Sequence, residues 1–93
     1  MALYIIVFND AGSPREKLVS HFNLRPDMVI DWYYCITNSI FIASNKTPAE
    51  IRDFIRTVTG DNRIFLSEIT SKSRVDGWMP KTAWDFIGKY ITS

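Results

Sequence analysis

KTPAEIRDFIRTVTG, residues 46–60, fixes one helix and with it the order of everything on either side. Thr47 can cap the helix, and Pro48 suits the first turn, where a missing N–H is no loss. Glu50, three residues past the cap, can return a carboxylate to the cap's own amide. Ile51, Phe54, Ile55 and Val58 recur at i, i+3, i+4 and i+7, which makes one apolar stripe, and Gly60 supplies the stop. SIFIAS (39–44) before it and RIFLSEIT (63–70) after it are runs of strand length, rich in β-branched residues and phenylalanine.

The same start signal occurs once more, upstream. In SPRE (13–16) Ser13 can cap, Pro14 fits the first turn and Glu16 stands three after the cap. Leu18, Val19 and Phe22 then form a stripe that ends near Arg25-Pro26. Ahead of this helix runs ALYIIVFN (2–9), a near-continuous apolar strand followed by the loop DAG. MVIDWYYCI (28–36) and SIFIAS, joined by a short polar turn at Thr37-Asn38-Ser39, read as an antiparallel hairpin. The order is strand, helix, strand, strand, helix, strand. It predicts an α+β, ferredoxin-like βαββαβ domain: a four-stranded antiparallel sheet with two helices on one face. One domain spans 1–93, with a core over 2–71 and a C-terminal helical extension over 72–93. In that extension Trp84, Ile87 and Ile91 at helical spacing predict a short third helix.

Ninety-three residues suffice to bury roughly 60% of the unfolded surface. Apolar residues make up 46% and aromatics 14%, which fits a packed core rather than a disordered chain. Eleven basic against ten acidic side chains leave a net charge of +1, so binding that rests on a general basic excess is disfavoured. A local patch is compatible with the sequence, because Arg52, Arg56, Arg63, Lys72, Arg74 and Lys81 all lie in the C-terminal half. Cys35 is the only cysteine. It forms no intrachain disulfide, and its setting in WYYCI suggests a small buried hydrophobe. No apolar run reaches 18 residues and no basic stretch precedes the first apolar one, so the expectation is a soluble, cytoplasmic protein that does not enter a membrane.

Two helices on one face leave the other face of the sheet open. Alternation in the first strand sets Leu3, Ile5 and Val7 against Tyr4, Ile6 and Phe8, and both sets are apolar. Trp32 and Tyr34 likewise oppose Tyr33 and Cys35. Either the C-terminal segment covers the open face or a second copy does. The homodimer is the expected arrangement, since one short helix covers only part of a four-stranded sheet. Tyr4, Phe8, Trp32 and Tyr34 are its expected interface.

YIIVFND, the W-Y-Y strand, NSIFIAS, TPAEIRDFI, the D-x-R-I-F strand and EIT together resemble the SinR-like branch of small prokaryotic ferredoxin-fold proteins. That branch is similar to the smaller, dimeric subunit of the CRISPR adaptation machinery and, more distantly, to VapD-type toxins. The resemblance covers residues 3 to about 70, and the ending GWMPKTAW looks like the SinR-like branch in particular. In the CRISPR subunit the first strand ends in an aromatic residue followed by an aspartate linked to divalent-metal-dependent cleavage of nucleic acid. The matching position here, after Phe8, is Asn9. An amide lacks the charge that holds Mg²⁺ or orients a hydroxide.

Asp10 is next in line, and successive strand residues point to opposite faces. It reads either as a turn former before Ala-Gly or as a catalytic, metal-binding carboxylate for Mg²⁺ or Mn²⁺. Arg52, Arg56 and Arg63 are the candidate nucleic-acid contacts, although Glu50, Asp53 and Asp61 interleave with them. His21 has no second histidine with which to form a metal pair, and Trp32, Tyr33 and Tyr34 read as core or dimer contacts before base-stacking platforms. Glycine-rich phosphate loops and nucleophile–histidine arrangements are missing, and no small-molecule cofactor is evident. The leading expectation is a small homodimer acting through nucleic-acid or protein contact. The alternatives are a metal-dependent nuclease using Asp10, and a structural or regulatory dimer of a toxin or phage-defence system.

Overall fold

A computed structural model describes residues 1–9 and 14–91. The elements are β1 (Ala2–Phe8), α1 (Pro14–Leu24), β2 (Asp31–Tyr33), β3 (Ser39–Ser44), α2 (Pro48–Thr59), β4 (Ile64–Ile69) and α3 (Lys81–Tyr90), with a 3₁₀ turn at Lys72–Arg74. The strands form one antiparallel sheet in the order β2-β3-β1-β4. This is the ferredoxin-like fold with a C-terminal helix.

Local chemistry accounts for α2. The Thr47 hydroxyl accepts the Glu50 amide at 3.2 Å, and the Glu50 carboxylate accepts the Thr47 amide at 3.2 Å, so the capping box closes in both directions. These contacts hold the Glu50 carboxyl below its ordinary range. At the far end Gly60 takes a φ of 64° and donates its N–H to Arg56 O at 2.9 Å. A residue with a Cβ would strain there.

Side-chain parity divides the core in two. Tyr4, Ile6 and Phe8 of β1 face α1 and α2 and pack with Leu18, Phe22, Ile51, Phe54 and Ile55. Phe22 and Phe54 bring the two helices together, with ring centroids 6.2 Å apart. On the opposite face Leu3 and Phe41 pack against Ile87 of α3, with Ile5, Tyr33, Ile69 and Trp84 around them. β3 lies between both layers, and all six of its residues are buried. That is why SIFIAS lacks a polar side: Ser44 is buried but bonded, donating to Met28 O at 2.5 Å and accepting from Lys46 N at 3.0 Å.

Two sequence expectations are corrected here. The second strand is shorter than the run 28–36: only Asp31–Tyr33 is strand, preceded by one out-of-register bond from Ile30 N to Ala43 O at 2.8 Å. Cys35 therefore lies in the connection to β3 and is exposed, not buried. Ser13, the expected cap of α1, lies outside the described residues. Among the described residues, no helix is long and apolar enough to cross a membrane.

Candidate functional site

The helix-free face of the sheet is only half covered, and α3 decides which half. Its attachments run to β2. The Tyr33 and Thr82 hydroxyls share a hydrogen bond of 2.6 Å, and the Tyr90 hydroxyl donates to an Asp31 carboxylate oxygen at 2.5 Å. Tyr33 stacks on Phe86 at 5.8 Å, and Phe86 meets Tyr90 at 4.9 Å. The bond to Asp31, with burial second, raises the Tyr90 hydroxyl above the ordinary tyrosine pKa. With α3 held toward β2, Leu3 and Phe41 are sealed, while the β4 side stays open to water.

The register shows what that open side carries. Val7 pairs with Phe65, Ile5 with Ser67 and Leu3 with Ile69, so Phe65 shares the helix-free face with Val7. Phe65 is 65% exposed and Val7 38%. Nearby, the segment that leads into α3 forms an apolar cleft of about 410 Å³ over Ile5, Phe41 and Ile69, with Ile36, Trp84 and Ile87 among its walls. Trp78 stands at this cleft fully exposed to solvent. Arg74 and Asp76 are its charged lining residues. Asp76 is engaged locally, its carboxylate accepting the Gly77 amide at 2.8 Å.

Three cations border this side. Arg63, two residues before Phe65, lines a shallow groove with Val7, Asn9 and Phe65. Arg74 lines the cleft, and the Lys72 ammonium lies against Gly88 of α3, 3.2 Å from where a Cβ would stand. Among the described residues no carboxylate comes within 4.0 Å of any of the three. No family model and no curated protein matches this chain.

The expected dimer residues are placed differently. Tyr4 and Phe8 are 2% and 3% exposed inside the helix-side core, so they offer no surface to a partner. The Tyr4 hydroxyl reaches Lys46 O at 2.9 Å, and burial raises its pKa, with Glu68 and Glu50 adding to the effect. Trp32 and Tyr34 are also on the helix side. They stack on each other at 5.7 Å, Arg15 lies over the Tyr34 ring at 4.2 Å, and Trp32 Nε1 donates to Asn23 at 2.9 Å. The physical reason is parity: Tyr4, Ile42 and Trp32 are register partners and share one face, the face on which both main helices lie.

Among the candidate arginines, Arg52 pairs with Asp53 at 3.1 Å and Arg56 with Asp61 at 3.6 Å, both exposed on α2. Arg63 stands apart from them, on the sheet side. His21 is exposed and bonds the Lys17 carbonyl region of its own helix, with Nδ1 2.8 Å from Lys17 O. Asp10, the expected catalytic and metal-binding residue, lies outside the described residues. Among the described residues no three or more His, Cys, Asp or Glu side chains stand close enough together to hold a metal ion. Asn9 continues the β1 ladder, donating its N–H to Arg63 O at 3.2 Å.

Sequence reading missed Phe65 and Trp78. A signal for Phe65 was present: in RIFLSEIT it shares its parity with Arg63 and Ser67, an aromatic flanked by two polar residues on one side of its strand.

Proposed function

We propose that this protein is a homodimeric binding module that contacts single-stranded nucleic acid through the helix-free side of its sheet. The observation that carries the reading is the combination left uncovered by α3. Val7 and Phe65 form an apolar shelf beside Arg63, Trp78 is fully exposed at the cleft that Arg74 lines, and Lys72 lies against α3 on the same face; among the described residues none of the three cations has a carboxylate within 4.0 Å. Large exposed apolar groups concentrated on one side are the usual mark of a partner surface. Exposed aromatics bordered by cations are what single strands bind, because any base has a face to stack and any backbone has phosphates to neutralise. The likeness of the sequence to a dimeric nucleic-acid-processing family supports the same reading. A net charge of +1 implies modest affinity carried by a local patch.

The division of labour follows from position. Val7 and Phe65, on the β4 side, serve the second copy, and Trp78 with Lys72 and Arg74 serves the strand.

Light scattering should report twice the 10.8 kDa chain mass at micromolar concentration. Trp78→Ala should weaken binding of a single-stranded oligonucleotide by about 1–3 kcal/mol. Removing Lys72 and Arg74 should flatten the salt dependence by about 0.7 per lost phosphate contact. Binding indifferent to all three changes would end the nucleic-acid reading, and capture of a protein through Trp78 instead would replace it. A monomer at every concentration would end the dimer.

A further inference from the structure

β4 is an unprotected sheet edge. Proteins usually blunt such edges with lysine, proline, bulges or brevity, because a row of open N–H and C=O groups templates another strand. The other edge, β2, is three residues long. β4 has six, IFLSEI, with no lysine, no proline and one charge, and none of its residues is fully buried.

Its outward groups can be assigned. The Asn9 N–H to Arg63 O bond makes 9:63 a hydrogen-bonded pair, and pairs alternate along an antiparallel ladder. Residues 63, 65, 67 and 69 therefore turn their N–H and C=O toward β1. Ile64, Leu66 and Glu68 turn theirs outward. The bond from Phe8 N to Asn38 O agrees, since it points Phe8 toward β3 and away from Ile64. Apart from a Ser67 hydroxyl 3.3 Å from Glu68 O, no hydrogen bond reaches these outward groups among the described residues.

Resting on the dimer reading above, we propose that two copies join by antiparallel pairing of β4 with β4 of the partner, fusing two four-stranded sheets into one with Phe65 on the two-fold axis. A two-fold axis perpendicular to the sheet keeps each face with its like, so only residues of equal parity can stand opposite each other. With Phe65 opposite Phe65, Ile64 meets Leu66 on the helix side, Arg63 meets Ser67, and Asn62 meets Glu68. Around the axis, from 64 to 66, every apolar side chain then faces an apolar one, and only Ile69 at the far end falls opposite Asp61. A shift of two residues in one direction puts Ile64 against Glu68, and in the other puts Phe65 against Arg63. The outward amides and carbonyls of Ile64 and Leu66 bond each other reciprocally, and the two exposed Val7–Phe65 shelves become one continuous apolar stripe across the axis, the two Phe65 side chains shielding each other at its centre.

This arrangement specifies a distance. Phe65 opposite itself is a non-hydrogen-bonded pair, with Cα atoms about 4.5 Å apart, inside the roughly 4.4–6.8 Å window of a disulfide. Ser67 and its equivalent lie at least about 13 Å apart, four residues along the strand. In a Cys35→Ser background, which removes the exposed native thiol, Phe65→Cys should oxidise to a covalent dimer and Ser67→Cys should not. In the unsubstituted chain, hydrogen exchange should show the Ile64 and Leu66 amides protected at concentrations where the dimer forms and open on dilution. A dimer by mass with fast exchange at both amides and no Phe65→Cys cross-link overturns the seam and leaves the dimer reading standing. A chain that stays monomeric overturns both. Equal cross-linking at Phe65→Cys and Ser67→Cys refutes the register.

Discussion

Truncating Ile87 to alanine tests whether α3 belongs to the folded unit or merely rests on it. Ile87 is 1% exposed and packs on Leu3 and Phe41, the two sealed residues of the helix-free face. Buried isoleucine-to-alanine changes cost about 2–5 kcal/mol, the lower values occurring where neighbours can relax into the space. Ile5, Ile69, Trp84 and Phe86 around Ile87 are only half-buried, and the first three border the open cleft, so collapse is easy and about 2–3 kcal/mol is expected. For a domain of this size each kcal/mol lowers the melting midpoint by about 4–8 °C, which gives a fall of roughly 10–20 °C. Ile51→Ala is the control. Ile51 has no exposure and is enclosed between α2 and the sheet, so its cost should reach about 3–5 kcal/mol. Both can be read by circular dichroism melts and urea titrations at one protein concentration. If Ile51→Ala produces its full effect while Ile87→Ala moves the midpoint by less than about 4 °C, α3 is not part of the cooperative unit. The face would then be covered by something else.

Thr47→Ala removes the hydroxyl that accepts the Glu50 amide, leaving the backbone half of the capping box, and should cost about 1 kcal/mol, visible as a shift in the urea midpoint with unchanged slope. The Tyr90 pKa is raised by its bond to Asp31, so the fold favours the neutral hydroxyl. Its stabilising contribution is whole below the unfolded tyrosine value of about 10 and is lost as pH rises through the folded one. Tyr90→Phe should therefore show a shallower alkaline loss of stability than the parent chain. The opposite ordering in paired urea titrations would exclude the bond as its cause. The Asp27 carboxyl is held down to about 2 by its hydrogen bonds with Arg25, at 2.9 Å each. Its contribution is present above the unfolded value and lost as pH falls toward 2. Carbon-detected titration should find Arg25→Ala returning this carboxyl to the ordinary range with little change in stability, because both side chains are largely exposed.

The element order was legible because its signals are local. A capping box, a proline in the first turn and a stripe at helical spacing involve only residues a few positions apart, and Thr47 to Gly60 carries them all. The face assignment was not legible, for an equally physical reason. When both parities of β1 are apolar, period-2 alternation says that the strand is covered twice but not which cover lies on which side. Tyr4 and Phe8 went to the helices, while Leu3, Ile5 and Val7 went to α3 and the open shelf. The aromatic character of β2 misled in the same way. Trp32 and Tyr34 are held by Asn23 and Arg15 of α1, contacts between residues many positions apart that no local pattern announces. The exposure of Cys35 follows from where β2 stops pairing, a boundary set by the ladder with β3 and not by side-chain type.

Unequal cover of the two sheet faces ties the fold to the site. α1 and α2 seal one face, whereas α3 is a single helix of ten residues drawn toward β2 by Tyr33 and Tyr90. Ile69 at one end of β4 joins the cluster around Ile87, but Phe65 and Val7 remain in water beside Arg63. The same geometry places Asn9 at the end of the β1–β4 ladder and on the parity of Val7. An amide there adds no negative charge to the groove that Asn9 shares with Arg63. A carboxylate at the same point would add one. The surface that the third helix fails to cover is thus also the surface whose cations stay uncommitted among the described residues, and both properties follow from where one short helix is anchored.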